Sequence, residues 1–234
     1  MDYAALEQDL MRVLGLEHPP IGIAFADIAP QGVKRFQGTV PSGCSFWKQA
    51  RERGAFYTEA SDHYNCAIGC YTHRIDLPPE RTAELDQTLG FMMSAGYIKP
   101  EDLPAIARLA RTPSVVVYAR LGESPVKPDV VLFTGKPGRI MLLQEAAIRA
   151  GVNVAPLHAR PTCMSLPAAM DSGVVASSAC VGNRVYTGLG DDELYVAVRG
   201  EDLPRIAAGL DTIISANAKL EEYHKQRLAQ LAAS

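Results

Sequence analysis

The chain lacks a run of like charge, an uninterrupted apolar stretch of membrane-spanning length and an even set of cysteines. Its 234 residues carry 23 Lys and Arg against 26 Asp and Glu, a net charge of −3 with no basic block. Nucleic-acid binding rests on clustered Lys and Arg, so it is not expected. A membrane helix needs roughly 18 or more successive apolar residues, and none is present. The opening MDYAALEQDLMRVLGL is acidic and amphipathic, without the basic start and apolar run of a secretory signal. A soluble, cytoplasmic protein is therefore expected. Five cysteines, an odd number, argue against a disulfide framework. C-x-x-C, G-x-S-x-G, G-x-x-x-x-G-K-[ST] and G-x-G-x-x-G are all missing. Their absence removes a thioredoxin-type pair, a nucleophile elbow and two common phosphate loops.

What is present is enough apolar sequence, 47% of residues, to build a sizeable core without a metal or disulfides to hold it. Leu6, Leu10, Val13 and Leu14 share one face of a helix over 2–15. IGIAFA (21–26), SVVVYARL (114–121), DVVLFTG (129–135), VVASSACVG (174–182) and DELYVAV (192–198) read as strands, the second and third being strongly β-branched. Helices are expected over 44–54, 79–94, 100–110, from Pro137 to a stop at Gly151, over 166–173, and from Asp202 onward. The fold expected is α/β: a single domain over 1–234, with a mixed sheet, flanking helices and a helical insertion around 76–111.

The chemistry concentrates in HYNCAIGCYTH (63–73), with two cysteines and two histidines in eleven positions. Cys66, Cys70, His63 and His73 would make a cramped zinc knuckle, since compact knuckles favour C-x2-C. The other cysteines are Cys44 in PSGCSFW, Cys163 in ARPTCMSLP and Cys180 in SSACVGNRVYTG. Each stands at a junction between elements, where thiols from distant segments can converge and backbone N–H groups can stabilise thiolates. Cys44, one of Cys66 and Cys70, Cys163 and Cys180 would then offer four thiolates to a [4Fe–4S] cluster or to zinc. Arg160, Arg184, Asn183 and Asn65 could offset or hydrogen-bond such a dianionic group. His73 and His158, near the thiols in sequence, are candidate acid–base groups. Trp47, Tyr71 and Tyr186 are candidate pocket walls.

GCSFWKQARERGAFYTEASDHYNCAIGCYTH, PDVVLFTGKPGRIMLLQEAAIRAG and RPTCMSLPAAMDSGVVASSACVGNRVYTGLGDDELYVAV together resemble the bacterial and archaeal family called domain of unknown function 169. The likeness runs from HPPIGIAF almost to the end. It implies a single α/β domain with cysteines at positions like Cys44, Cys66, Cys163 and Cys180, whereas the position of Cys70 often holds another small residue. With the resemblance, the distributed site is favoured over the local knuckle, and iron–sulfur over zinc.

The leading expectation is an iron–sulfur protein with a redox or small-molecule-binding role. Its metal ligands are Cys44, Cys66, Cys163 and Cys180, and its contacts to the group are Arg160, Arg184, Asn183 and His73. An electron-transfer partner or a small-molecule substrate is implied. A second copy of the chain is a further partner, for which the terminal helices offer faces. A metal-free binding module or thiol enzyme, with its pocket between the KPGR turn (136–139) and the CVGNR loop (180–184), is the alternative. A structural zinc protein is the next.

Overall fold

Period-two side-chain alternation puts successive residues of an apolar run on opposite faces of a sheet. In the computed structural model, which describes residues 1–155 and 160–233, seven strands do this: β1 (Ile21–Ala26), β2 (Phe56–Glu59), β3 (Val115–Arg120), β4 (Val130–Gly135), β5 (Val154–Ala155), β6 (Val174–Ser177) and β7 (Leu194–Arg199). Their order is β2-β3-β1-β4-β7-β6-β5. Among the described strands, only β5 and β6 pair in parallel, so the sheet is mixed.

Helices cover both faces. Val131 and Phe133 of β4 point to a core shared with α1 (Tyr3–Leu14), α6 (Pro137–Arg149) and the start of α9 (Leu203–Ala232). Val130 and Leu132 point to a second core built with Phe46 and Trp47 of α2 (Ser45–Arg53) and Leu166 and Ala169 of α7 (Ser165–Ser172). Burial on both faces explains why β3 and β4 read as continuous apolar runs although their neighbours are antiparallel. No helix among the described residues is long and apolar enough to cross a membrane.

The remaining helices lie around the α2 face: α3 (Ala60–His63), α4 (Ala67–His73), α5 (Ala83–Ser94) and α8 (Val181–Thr187). Two expectations need correction here. The helix expected over 100–110 is a 3-10 segment, Pro100–Ala105, with Pro104 inside it, where proline cannot donate and cannot extend an α-helix. The strand expected over 174–182 stops at Ser177: Ala179 takes φ +66 and turns the chain into α8. Fixing that turn, the Cys180 N–H donates to Thr162 Oγ1 at 2.6 Å, and Arg184 donates to the Ser178 carbonyl.

Candidate metal centre

Three cysteines are the residues immediately before helices: Cys44 caps α2, Cys66 caps α4 and Cys180 caps α8. Cys163 lies in the 3-10 turn Thr162–Met164, which runs directly into α7. A helix start leaves backbone N–H groups without intrahelical acceptors, so a thiol at this position is presented beside free donors. All four cysteines line one cavity of about 800 Å³. They form part of its floor, and the insertion over α5 and the Pro100–Ala105 segment walls it on the outside.

The local contacts favour sulfur as an acceptor. The Gly69 N–H donates to Cys66 Sγ at 3.3 Å, and the Ser42 hydroxyl stands 3.1 Å from Cys44 Sγ. A Cβ on Gly69 would lie 2.9 Å from Cys66 Sγ, so only glycine allows this approach. Burial nevertheless governs the free thiols. It pushes Cys44 up to about 12, with the Ser42 hydroxyl and the Asn183 amide opposing and the charges of Cys66 and Cys180 adding to the rise. It raises Cys66 against N–H groups of Gly43 and Gly69. Cys163 rises well above the usual thiol value through burial and the charge of Cys66, opposed by the Thr72 hydroxyl. The thiols thus lie within electrostatic reach of one another.

Of the other residues expected at the site, Asn183 and Arg160 line the cavity. Asn183 is 1% exposed, and its Nδ2, within reach of Cys44, completes no hydrogen bond of ordinary geometry. Arg160 reaches across to the insertion, donating to the Tyr97 carbonyl and lying over the Tyr97 ring. Arg184 and His73 are not among the residues lining the cavity. The guanidinium of Arg184 is spent on the carbonyls of Ser178, Gly190 and Glu193, which lock the turn before β7. His73 is buried against the edge of Phe25, its ring centroid 6.1 Å from that of His63. His158 lies outside the described residues.

The HYNCAIGCYTH segment is divided between two environments. Cys66 opens onto the cavity, whereas Cys70 is buried, with its Sγ donating to the His63 carbonyl at 3.2 Å. His63 itself is bonded to the Thr58 hydroxyl. The KPGR turn and the CVGNR loop do not share a pocket: the first leads into α6 on the far face of the sheet, with Lys136 paired to Asp192, while the second lines the thiol cavity. Of the three aromatics, Tyr186 lines the cavity. Trp47 is core, and Tyr71 lies under the Arg108 guanidinium.

Two contributors were not expected from sequence. Tyr118, in the middle of β3, does not line the cavity but is fully buried behind it with its hydroxyl unpartnered, close enough to Cys44, Cys163 and Cys66 for their charges to add to the rise in its pKa that burial causes. Gly69 is the other. The alternation that puts Val116 on the α2 face puts Tyr118 there too, which is the signal the apolar run conceals.

The model of the domain of unknown function 169, described as uncharacterised ArCR, matches residues 9–209. The chain belongs to that family. No curated protein and no solved structure matches it. The match takes in all the cysteines and ends within α9, one residue before Leu210, the last buried residue of that helix.

For this member of the family, the donors can be compared with what a metal group would need. Among the described residues, no three His, Cys, Asp or Glu side chains are grouped so as to hold a metal ion. Zinc requires its thiolates at about 2.3 Å from one point. A cubane takes one thiolate on each of four irons and accepts ligands set wider apart. Four thiols with unpartnered Asn183 Nδ2 and Tyr118 Oη nearby fit a sulfur-rich, anionic group in their donor chemistry.

Proposed function

We propose that the chain is a cytoplasmic iron–sulfur protein with Cys44, Cys66, Cys163 and Cys180 as the ligands of one [4Fe–4S] cluster, and with a redox or small-molecule-binding role. The observation that carries this reading is the convergence on one cavity of four cysteines from four separate segments, each at a helix start or in the turn leading to one. Bound there, the cluster would supply one-electron chemistry.

The chain's own residues would do the rest. The N-termini of α2 and α7, nine and eight residues long, point positive dipole ends toward negative charge at the thiols. Gly69 supplies a donor to Cys66, the Ser42 hydroxyl lies at hydrogen-bond distance from Cys44, and Asn183 holds an amide ready for a sulfur acceptor. A reducing compartment suits the five free cysteines. The thiol-enzyme alternative is less well supported, because a nucleophilic cysteine needs a lowered pKa and burial raises those of Cys44, Cys66 and Cys163. Raised thiol pKa values are no obstacle to a metal, which displaces the protons as it binds.

The test is anaerobic purification with iron, sulfide and zinc measured per chain. About four iron and about four sulfide, with the broad visible absorbance of a cluster, is the expected result. Cys44→Ala and Cys180→Ala should each lose most of the iron, and full retention in either would refute the ligand assignment. One zinc without colour would replace the cluster with a zinc site, and the absence of any metal would sink both.

A further inference from the structure

None of residues 76–108 is buried, although the segment folds into a 3-10 turn (Pro79–Arg81), α5 and the Pro100–Ala105 segment. This is unusual, since a helix in a folded protein is held chiefly by packing its apolar face. Several of its apolar residues face one way, while Phe91 is 73% exposed and Leu77, Leu85 and Met93 lie off the cavity. Leu89 and Met92 of α5, with Ile98, Leu103 and Ile106 beyond it, all line the thiol cavity, each half-buried. The insertion therefore turns its apolar side toward a space instead of toward a core.

That space is concave and bounded. The thiols lie at its floor, Met164, Val181 and Tyr186 line it as well, and the whole is about 800 Å³. Small-molecule pockets run from about 300 to 1,000 Å³ with mostly apolar walls, so a small molecule seated in the part above the thiols would give the insertion the packing it lacks.

The charges around the cavity limit the kind of occupant. Among the described residues, its charged lining side chains are Glu101, Asp102 and Arg160. Both acids are exposed. Arg160 is engaged by the Tyr97 carbonyl, lies 4.8 Å from the Tyr97 ring centroid and has Nη2 4.0 Å from Asp102. An ionised group carried inward past these residues would meet no free counter-charge on a described lining side chain, and unpaired burial of charge is costly.

We propose that the outer chamber of the cavity binds an uncharged, apolar small molecule, held between the insertion and the thiol floor. The proposal rests on the metal-centre reading only in leaving the floor to the thiols. Metal and ligand are measured separately, so either reading can fail alone.

The experiment titrates the full chain, purified anaerobically, with the neutral dye N-phenyl-1-naphthylamine, and measures iron in the same samples. The expected result is saturable fluorescence at one dye per chain. Met92→Trp fills the chamber and should weaken binding about tenfold with iron content unchanged; because no residue of the insertion is fully buried, its circular dichroism spectrum should match the parent's. Leu228→Lys, on the exposed part of α9, should bind as the parent does. Absence of saturable binding overturns the proposal and leaves the apolar wall to a docking protein. Binding that survives Met92→Trp but is lost in Leu228→Lys places the dye elsewhere and overturns it too. The anionic dye 1-anilinonaphthalene-8-sulfonate binding as tightly as the neutral one would refute the uncharged class. Dye bound to iron-free protein would show the metal reading failing while this one stands.

Discussion

Gly69 donates its backbone N–H to Cys66 Sγ at 3.3 Å, and a methyl group on Gly69 would stand 2.9 Å from the same sulfur. The donor and the steric allowance come from one residue. Gly69→Ala must push the thiol or the first turn of α4 aside, while the sheet and both cores are untouched. Loss of a hydrogen bond beside a metal ligand typically costs about 10–100-fold in metal affinity. The variant is expected to keep its circular dichroism spectrum and to retain iron in competition with a chelator that much less well. Unchanged retention would remove Gly69 from the site.

Cys70 tests the division of the HYNCAIGCYTH segment. Its Sγ bonds to the His63 carbonyl and is not part of the cavity lining. Cys70→Ala should therefore leave iron content at the parent level, unlike Cys66→Ala. It gives up a buried hydrogen bond worth roughly 1 kcal/mol, and the urea midpoint of the metal-free protein should fall accordingly. Loss of iron without loss of stability would assign Cys70 to the site.

Tyr118 separates metal-free from metal-loaded behaviour. A buried hydroxyl without a partner costs about 1–3 kcal/mol, so Tyr118→Phe should leave the metal-free protein as stable as the parent or more so. In the loaded protein the same hydroxyl is expected to donate toward sulfur, and removing it lowers the midpoint potential, because hydrogen bonds to the sulfurs tune these centres. Asn183→Leu, with its orphaned Nδ2 gone, should shift the potential in the same direction. An unchanged potential in both variants would reduce these residues to packing.

The degree to which sequence foretold these features varied with how local their causes are. The strands β1, β3, β4 and β7 and the helices α1, α6 and α9 follow from period and punctuation, such as the shared face of Leu6, Leu10, Val13 and Leu14 on α1 or Pro137 opening α6. The turn at Ala179 does not, because it is fixed by Arg184 and Thr162, contacts that exist only after folding. The junction placement of the cysteines hinted that they meet, but not which neighbours join them. Arg184 and Asn183 are adjacent in sequence, yet one serves the turn before β7 and the other the cavity. Tyr118 was hidden by the strand pattern that makes β3 easy to recognise.

The two buried imidazoles give the metal-free protein an acid limb. Burial lowers His63 to about 4, and burial with the charge of His63 lowers His73 to about 3. In the unfolded chain both titrate near about 6.5, so between these values the unfolded state binds more protons than the folded one. Stability from this source is fully present above about pH 6.5 and is lost as pH falls toward 4 and then 3, with a slope approaching roughly 1.4 kcal/mol per pH unit for each ring. Urea midpoints of the metal-free protein should be flat from pH 7 to 8 and drop steeply between pH 6 and 4. His73→Phe preserves the ring contact with Phe25 and removes one of the two titrations, so its acid limb should be about half as steep. A limb of parent steepness in this variant would mean that His73 is protonated in the folded chain, which would require a partner for ring nitrogens that have none among the described residues.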